Sequence, residues 1–91
     1  MQYDVKAARV GATGTAVNHR TRVKGYSIAH TASAGSIVLR DGGGSGATLL
    51  NIDTPAVAGS MYLEIPGEGI LFETDVHATL TNVTGLTVYY G

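Results

Sequence analysis

The sequence predicts an all-β fold: a single small antiparallel β-sandwich, or jelly-roll-like barrel, of about eight strands. The hydrophobic periodicity is two rather than 3.6, in short runs rich in Val, Ile, Leu, Thr and Tyr. Gly, Asn, Asp and Pro separate these runs. With 91 residues, the chain is long enough for one domain with one modest core.

Eight runs carry the strand pattern, and they leave little room for a helix. They cover residues 4–10, 22–30, 36–41, 47–52, 60–65, 69–73, 76–81 and 86–90. Strands that start about 8 to 12 residues apart, each with one apolar face, are typical of two sheets packed face to face.

Two glycine-rich segments are predicted to reverse the chain. Residues 41–46 (Asp-Gly-Gly-Gly-Ser-Gly) can supply the positive φ angles of a hairpin loop, and residues 65–69 (Ile-Pro-Gly-Glu-Gly) place Pro and Gly as a type II turn requires. The links at residues 74–75 and 82–85 are shorter. The last three strands are therefore predicted to form a meander of adjacent antiparallel strands.

Alternation assigns one inward face to each of the later strands, because successive side chains of a strand point to opposite faces. Glu64, His77 and Thr79 fall on the opposite faces. The predicted inward residues are Met61, Leu63, Ile65, Val76, Ala78, Leu80, Leu86, Val88 and Tyr90.

The whole chain, residues 1–91, is predicted to be one domain, with its N-terminal part the hardest to assign. Residues 11–20 show no clear strand or helix pattern and are predicted to be a loop or an extended arm. Residues 1–21 could thus be an N-terminal strand plus an arm, with the strand paired within the domain or on a neighbour. The chain has no Cys and hence no disulfide to support its small core. Oligomerisation is therefore expected to add stability.

Charge is divided unevenly along the chain. Residues 1–45 contain all six Lys and Arg and two acids, a net charge of +4, whereas residues 46–91 contain five acids and no Lys or Arg, a net charge of −5. If each half forms its own surface, copies would attract head to tail. If strands from the two halves interleave, the charges mix, and the sequence leaves both readings open.

A basic cluster follows the predicted arm and is the candidate partner-binding site. It comprises Arg20, Arg22 and Lys24, which suit docking on an acidic protein surface. Three cations without interleaved aromatic residues make nucleic acid an unfavoured partner. Tyr89 joins this set because Tyr89 and Tyr90 point to opposite faces of one strand, so that one can be core and the other lie at an interface.

No motif for catalysis, cofactors or metals stands out, and the chain is predicted not to be an enzyme. The glycine run lacks the Lys-Ser/Thr ending of a phosphate-binding loop, and the three histidines are not at metal-ligand spacing. Glu64, Glu68, Glu73 and Asp75 bracket turns, where acids are common, and catalysis by them is the least favoured reading. No apolar stretch approaches a membrane span and no export signal is visible. We therefore expect a protein that is assembled inside a cell and does not bind a membrane.

The C-terminal residues 59–91 contain Ile65-Pro66, Gly69-Ile70-Leu71-Phe72 and Leu86-Thr87-Val88-Tyr89-Tyr90-Gly91. Through these segments they resemble small structural proteins of tailed bacteriophages, especially those of marine and cyanobacterial hosts. The resemblance implies a virion protein assembled in the host cytoplasm, a capsid decoration (cement) protein or a small neck or tail subunit. Its implied partners are the major capsid protein or other virion proteins and further copies of itself. A carbohydrate-binding β-sandwich for host attachment is the alternative.

Overall fold

A computed structural model describes residues 5–91, and this part of the chain contains nine β-strands and no helix. It therefore contains no helix that could cross a membrane. Residues 1–4, including Asp4 of the first predicted strand, lie outside the described part. The strands are β1 (Lys6–Val10), β2 (Gly14–Val17), β3 (Thr21–His30), β4 (Gly35–Asp41), β5 (Ala47–Thr54), β6 (Gly59–Glu64), β7 (Ile70–Phe72), β8 (Val76–Thr81) and β9 (Val83–Tyr90).

The strands form two antiparallel sheets that pack together, which confirms the predicted all-β sandwich. The first sheet has the order β1-β9-β3-β6, with β7 also paired to β3, and the second has the order β2-β8-β4-β5. If β6 and β7 are taken as one interrupted strand, this is the strand order of an eight-stranded jelly roll.

The core lies between the two sheets and draws on both of them. Val23 and Leu86 of the first sheet and Ile37 and Leu39 of the second are fully buried, as period-two alternation requires. The buried apolar set is Val17, Val23, Tyr26, Ile28, Ile37, Leu39, Ile52, Phe72, Val76, Ala78, Leu86 and Val88.

The segment at residues 11–20, predicted to be a loop or arm, contains a strand. β2 pairs with β8 at the edge of the second sheet, and Val17 at its end is buried. The pattern was too short to detect because Val17 is the one buried residue of a four-residue Gly-Thr-Ala-Val strand. β1 pairs with β9 of the same chain, so the described part of the first strand lies within the domain.

The predicted meander of the last three strands is wrong. β7 pairs with β3, β8 lies in the second sheet and β9 lies in the first. Asn82 is the single residue between β8 and β9, and its positive φ of 53° belongs to the sharp link that carries the chain from one sheet to the other. A short link thus joins strands that face each other across the core rather than strands that are hydrogen-bonded neighbours.

Residues 41–46 form the predicted β4–β5 hairpin loop, but residues 65–69 do not reverse the chain. β6 and β7 are both antiparallel to β3 and lie along its same edge, so the chain leaves that edge at Ile65 and rejoins it after Gly69. Gly67 and Gly69 have φ angles of 72° and 81°, and these left-handed conformations allow the loop to close on itself.

The predicted inward faces agree with the strand register in β6, β8 and β9, but one inward residue of β6 is not buried. Val76, Ala78, Leu86 and Val88 are fully buried. Leu63 is 51% exposed although it pairs with the buried Tyr26, because β6 is an edge strand with no strand beyond it to cover the side chain.

Candidate binding site

A concavity of about 290 Å³ opens at one end of the sandwich, where β9 ends and β3 begins. Strand pairing assembles it from distant parts of the chain: Lys6 lies opposite Tyr90, and Arg22 lies opposite Leu71. The lining residues are Lys6, His19, Arg20, Thr21, Arg22, Leu71, Tyr90 and Gly91.

Local contacts fix the wall of this concavity. The His19 ring meets the Tyr90 ring edge-on, with centroids 6.0 Å apart and planes at 63°. His19 Nδ1 lies 3.0 Å from the Arg20 carbonyl oxygen, and the Gly91 N–H donates to the Arg22 carbonyl oxygen at 3.2 Å. Tyr90 also packs against the core, so the wall is anchored to the body of the domain.

The concavity is positively charged. Lys6, Arg20 and Arg22 line it, and no Asp or Glu is among its described lining residues. The strands of the basic and acidic halves of the chain do interleave, since β9 lies between β1 and β3. However, β9 (Val-Thr-Gly-Leu-Thr-Val-Tyr-Tyr) carries no charge, so the cations on either side of it are not neutralised by it.

The structure divides the four predicted partner-binding residues among three places. Arg20 and Arg22 lie together in the concavity. Lys24 lies instead beside Gly69 of the β6–β7 loop, and Tyr89 lies on the solvent side of the first sheet. Lys6 and Tyr90 were missed as lining residues because only the pairing of β1 with β9 brings them together, and no local pattern specifies that pairing.

One part of the solvent side of the first sheet, which we call the outer face, is nearly uncharged. Its positions alternate with the core residues and form rows across β1, β9, β3 and β6. Arg9 on β1 and Glu64 on β6, at opposite edges, are its only charged members among the described residues, because we take the outer face to end at Gly25 on β3 and Arg22 and Lys24 lie beyond it on the same side of the sheet. The outer face consists of Ala7, Arg9, Gly25, Ser27, Ala29, Ser60, Tyr62, Glu64, Gly85, Thr87 and Tyr89.

Two tyrosines meet on the outer face. The rings of Tyr62 and Tyr89 are 5.7 Å apart between centroids and inclined by 74°. Gly25 permits the close approach of β6 to β3 beneath these rings, because a Cβ there would lie 2.9 Å from the Leu63 carbonyl oxygen. The Tyr62 hydroxyl donates to Glu64 Oε1 at 3.1 Å, and this hydrogen bond is the main cause of the raised pKa of Tyr62.

The glycine run has a structural partner, whereas the buried Nδ1 atom of His77 has no hydrogen-bond partner among the described residues. Within residues 5–91, no group of three or more His, Cys, Asp or Glu side chains could hold a metal ion. The Gly42 and Gly43 N–H groups donate to the Asp75 carboxylate, so the glycine run binds a side chain of its own domain.

Comparison of the chain with known protein families, with curated proteins and with solved structures finds no match in any of the three. The resemblance of residues 59–91 to phage structural proteins therefore stays a prediction. A fold alone does not define a function, so the function must be argued from the surfaces described above.

Proposed function

We propose that this chain is a non-enzymatic structural subunit of a phage virion, a capsid decoration protein or a small neck or tail subunit, whose copies associate through the outer face. The observation that carries the proposal is the composition of that face: small or uncharged residues, with a cation at one edge and an acid at the other. The virion context comes from the resemblance, and jelly rolls do occur in viral capsid domains.

The outer face costs little to remove from water. Only Arg9 and Glu64 carry charge there, and an unpaired charge is costly to remove from water. Tyr62 is 59% exposed, and its ring can bury apolar surface while its hydroxyl keeps a hydrogen bond to Glu64. Together these features favour contact with another protein surface.

The pattern of charge suits a second copy of the chain. A two-fold axis parallel to the strands would place the β1 edge of one copy over the β6 edge of the other. Arg9 of each copy would then face Glu64 and Tyr62 of its partner, twice by symmetry. Opposite charges in register fix the orientation of such a contact more than they strengthen it.

The size of the outer face sets the expected strength of this contact. Four strands by seven residues cover roughly 450 Å², so two copies would bury roughly 900 Å² in all. That area is at the low end for specific interfaces. We therefore expect a weak dimer in dilute solution and a firm contact where a virion protein already holds neighbouring copies side by side.

A charge swap tests this interface. Arg9→Glu and Glu64→Arg should each abolish self-association, because each places like charges opposite one another, and the double variant should restore it. Sedimentation equilibrium over a wide concentration range measures the association constant, and circular dichroism shows whether each variant is folded.

Asp53→Arg is the matched control, since Asp53 is an exposed acid on β5 of the second sheet. It should leave the association constant unchanged. A double variant as monomeric as either single variant, or a wild-type chain that stays monomeric at the highest concentration, would refute this interface. The virion context has its own test: mass spectrometry of purified particles should detect the chain, and its absence would refute that part alone.

One observation favours a second function, the binding of carbohydrate for host attachment. Tyr62 presents an exposed ring with the Glu64 carboxylate beside it, and an aromatic face next to a hydrogen-bond acceptor can hold a sugar. On a glycan array, the wild-type chain and Tyr62→Phe should then bind the same glycans and Tyr62→Ala should bind none. An array without hits would exclude this function.

A further inference from the structure

The basic concavity is separate from the outer face and has a chemistry of its own. Its cations come from three places: Lys6 on β1, Arg20 in the β2–β3 link and Arg22 on β3. Like charges do not gather around a cavity for the stability of the fold, since they repel one another. Their convergence therefore points to a bound anion.

We propose that this concavity binds a phosphate or sulfate group carried by a ligand of about the size of one sugar. Guanidinium groups hold the oxygens of such groups with paired hydrogen bonds, and an ammonium group adds a point charge. Arg20, Arg22 and Lys6 supply both kinds of contact around one opening.

The volume and the wall indicate that the ligand is larger than a bare oxyanion. The cavity of about 290 Å³ equals the share of liquid taken by roughly ten water molecules and is near the lower limit for organic ligands. Leu71 and the Tyr90 ring give it an apolar side. A sugar ring could lie against that side while its phosphate or sulfate faces the arginines.

The backbone that carries these groups is held in place before any ligand arrives. Arg22 is on a strand, its carbonyl oxygen accepts the Gly91 N–H, and Tyr90 is anchored to the core. The ends of the cationic side chains still reach water, so binding should weaken as salt rises. This inference does not depend on the proposed virion role or on the outer face.

The site is tested by titrating the full chain with glucose 6-phosphate, with inorganic phosphate and with glucose. Two-dimensional NMR of the backbone amides and calorimetry monitor each titration. Glucose 6-phosphate should shift the amides of Leu71, Tyr90 and Gly91 and bind more tightly than inorganic phosphate, and glucose should shift none. No binding of glucose 6-phosphate, or equal affinity for it and inorganic phosphate, would overturn the proposal.

Matched substitutions distinguish a site from general positive charge. Arg22→Gln should weaken glucose 6-phosphate binding about tenfold, as expected when a hydrogen bond to a charged group is lost. Lys24→Gln removes the same charge from the same strand but outside the concavity, and it should change the affinity less than twofold. Equal losses in the two variants would show that binding is unspecific. Neither substitution should alter self-association through the outer face, which keeps the two proposals distinguishable.

Discussion

The carboxylates of Asp41 and Asp75 each accept hydrogen bonds from the backbone of the other's loop. Asp41 Oδ1 accepts the N–H groups of Thr74 at 2.8 Å and of Asp75 at 3.4 Å. Asp75 Oδ1 accepts those of Gly42 at 3.0 Å and Gly43 at 3.1 Å. Two side chains thus tie the β4–β5 loop to the β7–β8 link at one end of the sandwich.

The first prediction concerns acid stability. Hydrogen bonds from the Glu73 and Thr74 backbone N–H groups hold the pKa of Asp41 below its usual range. Because the folded-state pKa is the lower one, the contribution of Asp41 to the free energy of unfolding is present above its ordinary pKa of about 3.9. It is lost as the pH falls through the folded-state value.

Asp41→Asn should remove this acid-dependent loss, because an amide does not titrate. Melting temperatures measured from pH 7 to pH 2 should fall less steeply below about pH 4 in Asp41→Asn than in the wild-type chain. Asp53→Asn is the control, since Asp53 is exposed on β5. A wild-type profile parallel to that of Asp41→Asn would contradict the assigned role.

The second prediction concerns the shortest strand. Phe72 ends the three-residue β7 and is fully buried, so packing rather than strand length holds β7 in place. Phe72→Ala should lower the free energy of unfolding by about 3–5 kcal/mol, measured by urea denaturation. The stability of Phe72→Leu should lie between those of the wild-type chain and Phe72→Ala. Val57→Ala, at a position that is 65% exposed, should change it by less than about 0.5 kcal/mol. Equal effects of Phe72→Ala and Val57→Ala would refute the packing argument.

The sequence was sufficient to predict the sandwich because the alternation that indicates each strand is a local property of the chain. Val76 and Ala78, like Leu86 and Val88, alternate with polar residues, and period-two alternation fixes which side of a strand is buried. The sheet to which a strand belongs is not a local property. A short link such as the one at Asn82 can join hydrogen-bonded neighbours or strands on opposite sides of the core, and only tertiary packing distinguishes them.

The binding surfaces were predictable only in part, for the same reason. Arg20 and Arg22 are close in sequence, so their shared location could be predicted. Lys6 and Tyr90 come from the first and last described strands and meet only through the β1–β9 register. Tyr62 reaches Tyr89 across Gly25, which requires the pairing of three strands.

The third prediction concerns the loop that interrupts the β6–β7 edge. Gly67 and Gly69 both have left-handed φ angles, but their surroundings differ. A Cβ at Gly67 would meet open space, whereas a Cβ at Gly69 would overlap the Val23 carbonyl group on β3. Gly67→Ala should therefore cost about 1 kcal/mol of unfolding free energy, for the backbone conformation alone.

Gly69→Ala should cost about 3 kcal/mol or more, since it adds the displacement of β3 to the same conformational penalty. Urea denaturation of the two variants in parallel measures the difference. Similar costs for the two alanines would show that the Gly69 contact with Val23 is unimportant.

The fourth prediction concerns Asn82, the residue that carries the chain between the sheets. Its φ of 53° is favoured by Gly and tolerated by Asn, and its side-chain amide donates to the Ala34 carbonyl oxygen at 3.0 Å. Asn82→Gly relieves the backbone but loses that hydrogen bond, whereas Asn82→Ala loses the bond and keeps the strain. Asn82→Ala should therefore be about 1 kcal/mol less stable than Asn82→Gly in urea denaturation.

Asn82→Asp tests the contribution of the hydrogen bond, because aspartate tolerates the same φ and cannot donate to the Ala34 carbonyl oxygen. If Asn82→Asp matched the wild-type chain, the hydrogen bond would contribute nothing, and if Asn82→Ala matched Asn82→Gly, the backbone conformation would not be what selects asparagine at this link.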